Sequence, residues 1–337
     1  MSGRASGRTV GWSRPALVLV LLLALAACAR PAPRGGGVPV TASFDTLAEF
    51  ARRVGGNRID VTTLVPPGAE PHDYEPSPQQ LARVSRTRLL IYNGAGFEPW
   101  VDRLRGDLPA DAVVVETTAG LPLLRAASHE DAHEPAGAGR EGTGEREAVG
   151  APQAGGARDP DQAFDPHVWL DPVLAQRQVA AILRGLRAVD PAGAEQYAQN
   201  AARFQAELEA LHRRYAATLR DCRRRTFITT HGAFAYLARR YGLRMIAITG
   251  LSPEAEPSPA RLRELVREAR RHGVRVVYTE TLLSPRLAET LAREVGARTR
   301  VLNPLEGLTP EERRAGRTYL TVMAENLQHL AEGLACR

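Results

Sequence analysis

No lysine occurs in the 337 residues, so arginine supplies all 44 basic side chains. This looks like genome composition bias, and no function is drawn from it. Aromatic residues are sparse at 5%, and there are only three Cys and three Met. The net charge of +6 is not gathered into one region. Arg4, Arg8 and Arg14 lie in an acid-free leader, and without them the charge falls to +3. The other Arg residues alternate with Asp and Glu, and the lack of a basic stripe argues against a nucleic-acid partner. The chain's His-Glu-x-x-His string, His129-Glu130-Asp131-Ala132-His133, falls in a Gly-rich stretch and not on an expected helix, so the helical motif that zinc hydrolases use is lacking. What remains is ordinary globular material, 44% hydrophobic and 24% charged. That composition excludes whole-chain disorder and a polytopic membrane protein. The length suggests two domains at roughly 100–200 residues each.

The N-terminus sets the compartment. The basic start is followed by an apolar run at 16–25 and then Leu25-Ala26-Ala27-Cys28. The run is too short for a stable membrane anchor and suits a secretory leader. Small residues directly before a Cys resemble a bacterial lipobox, so 1–27 is expected to be removed and Cys28 to carry lipid. Residues 28–37, rich in Pro and Gly, then form a flexible tether. With Cys28 lipidated, Cys222 and Cys336 are left as an even pair in an oxidising compartment and could form a disulfide.

From residue 38 short apolar runs alternate with amphipathic stretches, which implies parallel sheets flanked by helices. Strands are expected at 38–43, 58–64, 88–92 and 112–116, with helices at 46–54, 78–84 and 97–104. Residues 126–163 break the pattern with seven Gly between Gly137 and Gly156, and read as a mobile loop. Helices follow at 172–189 and 192–221. The second, near 28 residues, would run about 40 Å, either as a rigid connection between two lobes or as a long surface helix of one domain. Strands at 226–230, 244–249, 274–279 and 299–302 then alternate with helices at 233–241, 259–271 and 285–294, and a helix at 314–335 closes the chain. The expected fold is α/β, with an N-terminal lobe at 38–190, a linking helix within 191–221 and a C-terminal lobe at 222–337.

Eight His carry the chemistry to be sorted. His212, His272 and His329 fall on polar helix faces or at a helix end and read as solvated. His129 and His133 sit in the 126–163 loop among Glu130, Asp131 and Glu134, a weak cation-gathering patch at most. His72, His167 and His231 share a different setting. His72 follows the 58–64 strand in Glu70-Pro71-His72-Asp73-Tyr74-Glu75-Pro76. His167 precedes a helix in Asp165-Pro166-His167-Val168-Trp169. His231 follows a strand in Thr229-Thr230-His231-Gly232, and Glu280 ends the 274–279 strand in the same way. Open α/β sheets bind ligands beyond the carboxyl ends of their strands. Three imidazoles suit zinc better than manganese, calcium or magnesium. They leave the ion's charge uncompensated, so a carboxylate is expected nearby. Glu280 is the leading candidate for fourth ligand. Alternatively, water fills that place and Glu280 orients an imidazole.

These segments resemble the metal-binding solute-binding proteins of bacterial ABC transporters, the zinc/manganese family. Gly250-Leu251-Ser252-Pro253-Glu254-Ala255-Glu256-Pro257 and Tyr278-Thr279-Glu280 add to the likeness, which covers about 38–337. The resemblance implies two α/β lobes joined by one rigid helix, with a cation held between them. It also implies delivery to a membrane permease driven by an ATPase. Position by position, His72, His167 and His231 match the family's first three ligands, and His231 stands where manganese-type members tend to have Glu. Members with an Asp ligand carry it after the final strand, where this chain reads Asn303-Pro304-Leu305-Glu306-Gly307, with no acid at the best-matching place. Some zinc-type members use a Glu just before the first His, where this chain has Pro71, with Glu70 one residue earlier. The 126–163 loop falls where zinc-type relatives carry a His-rich loop.

The expected function is therefore extracytoplasmic Zn²⁺ capture by a lipid-anchored monomer that is not an enzyme. The alternatives are a Mn²⁺-binding member of the same family, a surface adhesin lipoprotein, or a secreted zinc hydrolase.

Overall fold

The computed structural model describes residues 36–125 and 164–337, with Gly3. The expected leader (Gly3 apart), Cys28, most of the tether and the 126–163 loop with His129 and His133 lie outside the described residues.

In the compact unit Val38–Arg337, two four-stranded parallel sheets repeat one topology. The first has the order β2-β1-β3-β4, built from β1 (Val38–Ala42), β2 (Ile59–Thr63), β3 (Leu89–Tyr92) and β4 (Val113–Glu116). The second has the order β6-β5-β7-β8, built from β5 (Thr226–Thr229), β6 (Arg244–Ala247), β7 (Val276–Thr279) and β8 (Arg298–Val301). The central strands β3, β5 and β7 are buried at every position, because helices cover both faces of a parallel sheet. The edge strand β8 instead alternates Arg and Thr and is largely exposed. In each sheet the chain order reverses at the central pair, β1/β3 and β5/β7, which opens a crevice at the carboxyl ends.

The helices are α1 (Asp45–Gly55), α2 (Pro78–Val84), α3 (Val101–Leu104), α4 (Pro172–Val189), α5 (Ala194–Arg220), α6 (Ala235–Arg240), α7 (Pro259–Arg271), α8 (Arg286–Val295), α9 (Pro310–Arg314) and α10 (Tyr319–Leu334). Their starts follow from sequence: Ser77, Asp171 and Ser258 each accept a backbone N–H of the first turn, and each precedes a Pro. The helix expected at 314–335 starts only at Tyr319, and Arg314 instead ends the separate short helix α9. Gly316 adopts φ 68, and Thr318 caps a new start with Thr321. The helix expected from Phe97 begins only at Val101, because Gly94, Ala95 and Gly96 all take positive φ just before it.

The long helix α5 has 27 residues. Its buried stripe of Tyr197, Ala201, Phe204, Leu208, Leu211, Tyr215 and Leu219 keeps helical spacing. Phe204 packs edge-on against Phe50 of α1, at 5.3 Å. Further along, the Tyr215 hydroxyl donates to the Met323 carbonyl of α10, at 2.6 Å. One buried cluster runs from Val40 and Phe44 through Trp169 and Phe204 to Tyr319 and Leu334. A smaller one, with Ile228, Leu265 and Leu291, fills the outer side of the second sheet. The sulfurs of Cys222 and Cys336 are joined as a disulfide, which staples the end of α5's connection to the chain terminus.

Candidate metal centre

His72 lies in the loop between β2 and α2. Gln80 braces that loop: its amide donates to the Leu64 carbonyl at 2.7 Å, and its oxygen accepts the Tyr74 hydroxyl at 2.5 Å. The His72 ring meets Phe97 edge-on at 4.8 Å. His167 sits where the chain enters the 3₁₀ turn Val168–Leu170 ahead of α4. The Asp165 carboxylate accepts its backbone N–H at 2.9 Å and faces its Nδ1 at 2.7 Å. His231 lies two residues past β5. The Glu280 carboxylate accepts its backbone N–H at 3.0 Å and approaches its Nδ1 at 2.7 Å. With Nδ1 engaged from behind, both buried rings turn Nε2 into the site, as ligating imidazoles do.

The three Nε2 atoms converge on a fourth group, Glu306. Its Oε1 lies 3.3 Å from His72 Nε2, 3.0 Å from His167 Nε2 and 3.1 Å from His231 Nε2. His167 Nε2 is 3.2 Å from His72 Nε2 and 3.4 Å from His231 Nε2. All four donors lie within 4.8 Å of one another. A tetrahedron with Zn–N and Zn–O bonds near 2.0–2.1 Å has edges of about 3.3–3.4 Å. Five of the six edges here are 3.0–3.4 Å, so the residues fit a four-coordinate ion.

Of the two readings of Glu280, this arrangement has the geometry of the second, in which it backs an imidazole, but with Glu306 rather than water in the fourth place. The Glu280 carboxylate is spent on the backbone and Nδ1 of His231, behind the ring, and does not face the point where the Nε2 atoms meet. Glu306 faces it. Sequence reasoning passed over Glu306, although an acid in the loop that follows the last strand, β8, was a usable signal. Glu70 accepts the His72 backbone N–H at 3.2 Å and is not part of the donor group. The other described His lie elsewhere. His212 is not simply solvated but stacks on Tyr241 at 5.8 Å. His272 is near Glu268 at 3.5 Å, and His329 donates to the Val301 carbonyl at 2.6 Å.

His167, His231 and Glu306 are fully buried, whereas the His72 side chain keeps 13% of its surface exposed. Their electrostatics follow from that burial. Burial pushes the Glu306 carboxyl up, but the adjacent His231, His167 and His72 outweigh it and hold it well below the usual carboxylate range. Burial pulls His231 down, yet Glu306 and Glu280 hold it well above the usual imidazole value. Against the same burial, Asp165 and Glu306 raise His167. His72 is lowered, chiefly by burial. Without a cation the Glu306 carboxylate is thus shared by the three rings, of which His167 and His231 hold a proton more tightly than a free imidazole does. A divalent ion replaces those protons.

The family model described as "ZnuA: Zinc-uptake complex component A periplasmic" matches residues 40–333. The chain belongs to this family. Members of the ZnuA family are solute-binding components of uptake systems rather than enzymes. Among the relatives, the high-affinity zinc uptake system protein ZnuA of Bacillus subtilis is 36% identical over 330 residues, covering 96% of this chain and 98% of that protein. The zinc-binding lipoprotein AdcA of Streptococcus pneumoniae is 36% identical over 94% of this chain, which spans 60% of AdcA's length. The Zn(II)-bound ZnuA-like domain of that AdcA superposes with a TM-score of 0.70 at 34% identity, over 89% of this chain and 99% of the domain. The laminin-binding protein Lmb of Streptococcus agalactiae, described as having adhesin and metal-transporting activity, gives 0.73 at 29% identity, over 88% of this chain and all of Lmb.

Proposed function

We propose that this protein captures Zn²⁺ outside the cytoplasm through His72, His167, His231 and Glu306 and hands it to an ABC permease with its ATPase. The observation that carries the reading is the near-tetrahedral spacing of three imidazole nitrogens and one carboxylate oxygen. Three borderline nitrogen donors and a coordination number of four favour zinc over manganese, which prefers oxygen donors and six-fold sites. One carboxylate at the ion and two more behind its ligands offset the ion's charge. His72, the one partly exposed member, marks the side on which the ion is exchanged. The sheets β1–β4 and β5–β8, bridged by α5, act as the two lobes, 38–190 and 222–337. Lipid on Cys28 holds the monomer at the membrane. The site serves capture, not catalysis.

Elemental analysis of purified protein followed by Zn²⁺ against Mn²⁺ competition tests the reading. Zinc is expected to be retained and preferred. His167→Ala is expected to weaken zinc binding by several kcal/mol without unfolding the protein, and wild-type affinity in that variant would remove His167 from the site. The adhesin reading has one observation in its favour, the likeness to Lmb. It predicts that replacing His72 and His231 by Ala leaves zinc-limited growth unchanged, whereas the capture reading predicts that growth fails.

A further inference from the structure

Glu306 owes its direction to groups remote in sequence. Leu305, the residue before it, is buried and adopts a left-handed conformation, φ 58. That conformation is sterically unfavourable for every residue but glycine. A glycine would relieve it, but the Leu305 side chain is part of the main core. The backbone is therefore held in place by its surroundings. Asn326 donates to the Asn303 carbonyl at 2.7 Å, and the Trp169 indole donates to the Pro304 carbonyl at 2.7 Å. The Thr46 hydroxyl donates to the Leu305 carbonyl at 2.5 Å across 259 residues. This last bond acts on the peptide that joins Leu305 to Glu306. Fixing that carbonyl fixes the peptide plane, and the plane sets the direction in which the Glu306 side chain leaves the backbone.

We propose that Thr46 is a positioning residue for the metal centre, its hydroxyl locking the Leu305–Glu306 peptide so that Glu306 meets the three imidazoles through one oxygen. Thr46 stands in the first turn of α1, on the first sheet, and is itself buried. Its neighbour Asp45 accepts the Leu308 backbone N–H at 3.2 Å and pairs with Arg313. The first turn of α1 thus grips the Glu306 loop on both sides of the ligand. Loss of the Thr46 grip frees the carboxylate to swing or to bind through both oxygens. A swing leaves the fourth place to water, and binding through both oxygens raises the coordination number; each moves the site away from a fixed four-coordinate set, which erodes the preference for zinc over manganese.

The inference rests on the zinc-capture reading, and its test separates the two. Thr46→Val removes the hydroxyl at nearly constant volume, and Thr46→Ser keeps it. Thr46→Val is expected to weaken Zn²⁺ binding about tenfold, the scale of one lost buried hydrogen bond beside a ligand. It is also expected to narrow the Zn²⁺/Mn²⁺ ratio and to weaken the intense visible band that Co²⁺ gives in a four-coordinate site. Thr46→Ser is expected to restore all three. In a Glu306→Ala background Thr46→Val is expected to change affinity less than twofold, because its effect runs through Glu306. If the Val variant does not fold, Thr46→Ala is measured in the same way. Wild-type affinity and Co²⁺ spectrum in the Thr46 variant, or a loss that persists without Glu306, would overturn the proposal. A wild-type protein that takes up neither Zn²⁺ nor Co²⁺ would instead overturn the capture reading on which it stands.

Discussion

Replacing Glu280 by Gln separates a carboxylate that orients a ligand from one that binds the ion. Glu280 serves His231 twice, accepting its backbone N–H at 3.0 Å and facing its Nδ1 at 2.7 Å. A carboxylate accepts at both oxygens, whereas an amide of the same shape accepts at one end and donates at the other. The amide of the Glu280→Gln variant must therefore abandon one partner. If its NH₂ faces Nδ1, the ring proton is driven to Nε2, the atom that should ligate. If its NH₂ faces the backbone, two donors are buried head to head. Either outcome costs one charge-assisted hydrogen bond, about 1.5–3 kcal/mol, or roughly 10–100-fold in zinc affinity. Glu306→Ala removes a donor oxygen and the one carboxylate of the described donor group, so it is expected to cost more. Competition against a chelating dye at fixed pH measures both variants. A larger loss for Glu280→Gln than for Glu306→Ala would refute the assignment of roles, and no loss at all would show that Glu280 does not set the His231 tautomer.

Three further outcomes follow from other groups. Because His167 and His231 are raised above 6.5 in the metal-free protein, their protonation stabilises it fully below that pH and the contribution is lost as pH rises through the raised values. Zinc must displace these protons, so its affinity is expected to climb with pH beyond 6.5. Roughly one to two protons should be released per ion at neutrality, and calorimetry in buffers of different ionisation heat that found none would contradict the electrostatics. Glu98, buried and pushed up to about 7 by desolvation against its bonds from Ser43, Asn93 and Gly94, stabilises the fold below pH 4.5 and loses that contribution as pH rises through 7. The loss is on the order of 3 kcal/mol. Melting curves at pH 5 and pH 8 should show it in wild type and not in Glu98→Gln. Reduction, or Cys336→Ser, opens a loop with a sequence separation of 114. It is expected to cost about 2–5 kcal/mol of stability while zinc affinity stays within twofold.

Much of the fold was legible because its determinants are local. Leu89-Leu90-Ile91-Tyr92 and Val276-Val277-Tyr278-Thr279 read as strands covered on both faces, and they are. Ser77-Pro78, Asp171-Pro172 and Ser258-Pro259 announce helix starts that the structure keeps to the residue. The stretch after Gly193, free of Gly and Pro, is one continuous helix. The closing helix departs from the local reading where a single glycine decides. Ala315-Gly316 between two helix-favouring stretches costs only about 1 kcal/mol if kept helical. The Thr318 cap, together with the bond from the Tyr319 backbone N–H to Glu49 at 2.7 Å, outweighs that. The second partner of this bond lies 270 residues away, beyond any local reading.

The metal centre divides along the same line. His72, His167 and His231 stand in segments whose loop positions mark them, and two of them carry an orienting acid, Asp165 and Glu280, at their backs. Glu280 and Glu306 both follow strands of one sheet, so residue type and position could not rank them. What ranks them is the direction of one side chain, and that depends on Leu305 turning left-handed. Nothing in Asn303-Pro304-Leu305-Glu306-Gly307 signals this, since the residue that departs from the usual conformations is a leucine, with a glycine two places on. The turn is imposed by Thr46 at a separation of 259 and by Trp169 at 135. A ligand whose aim is set by the packing of the other sheet can come into place only once both sheets have packed. The three imidazoles, and the preference for zinc that they carry, can therefore be recognised in the unfolded sequence, but the fourth donor is a property of the assembled fold.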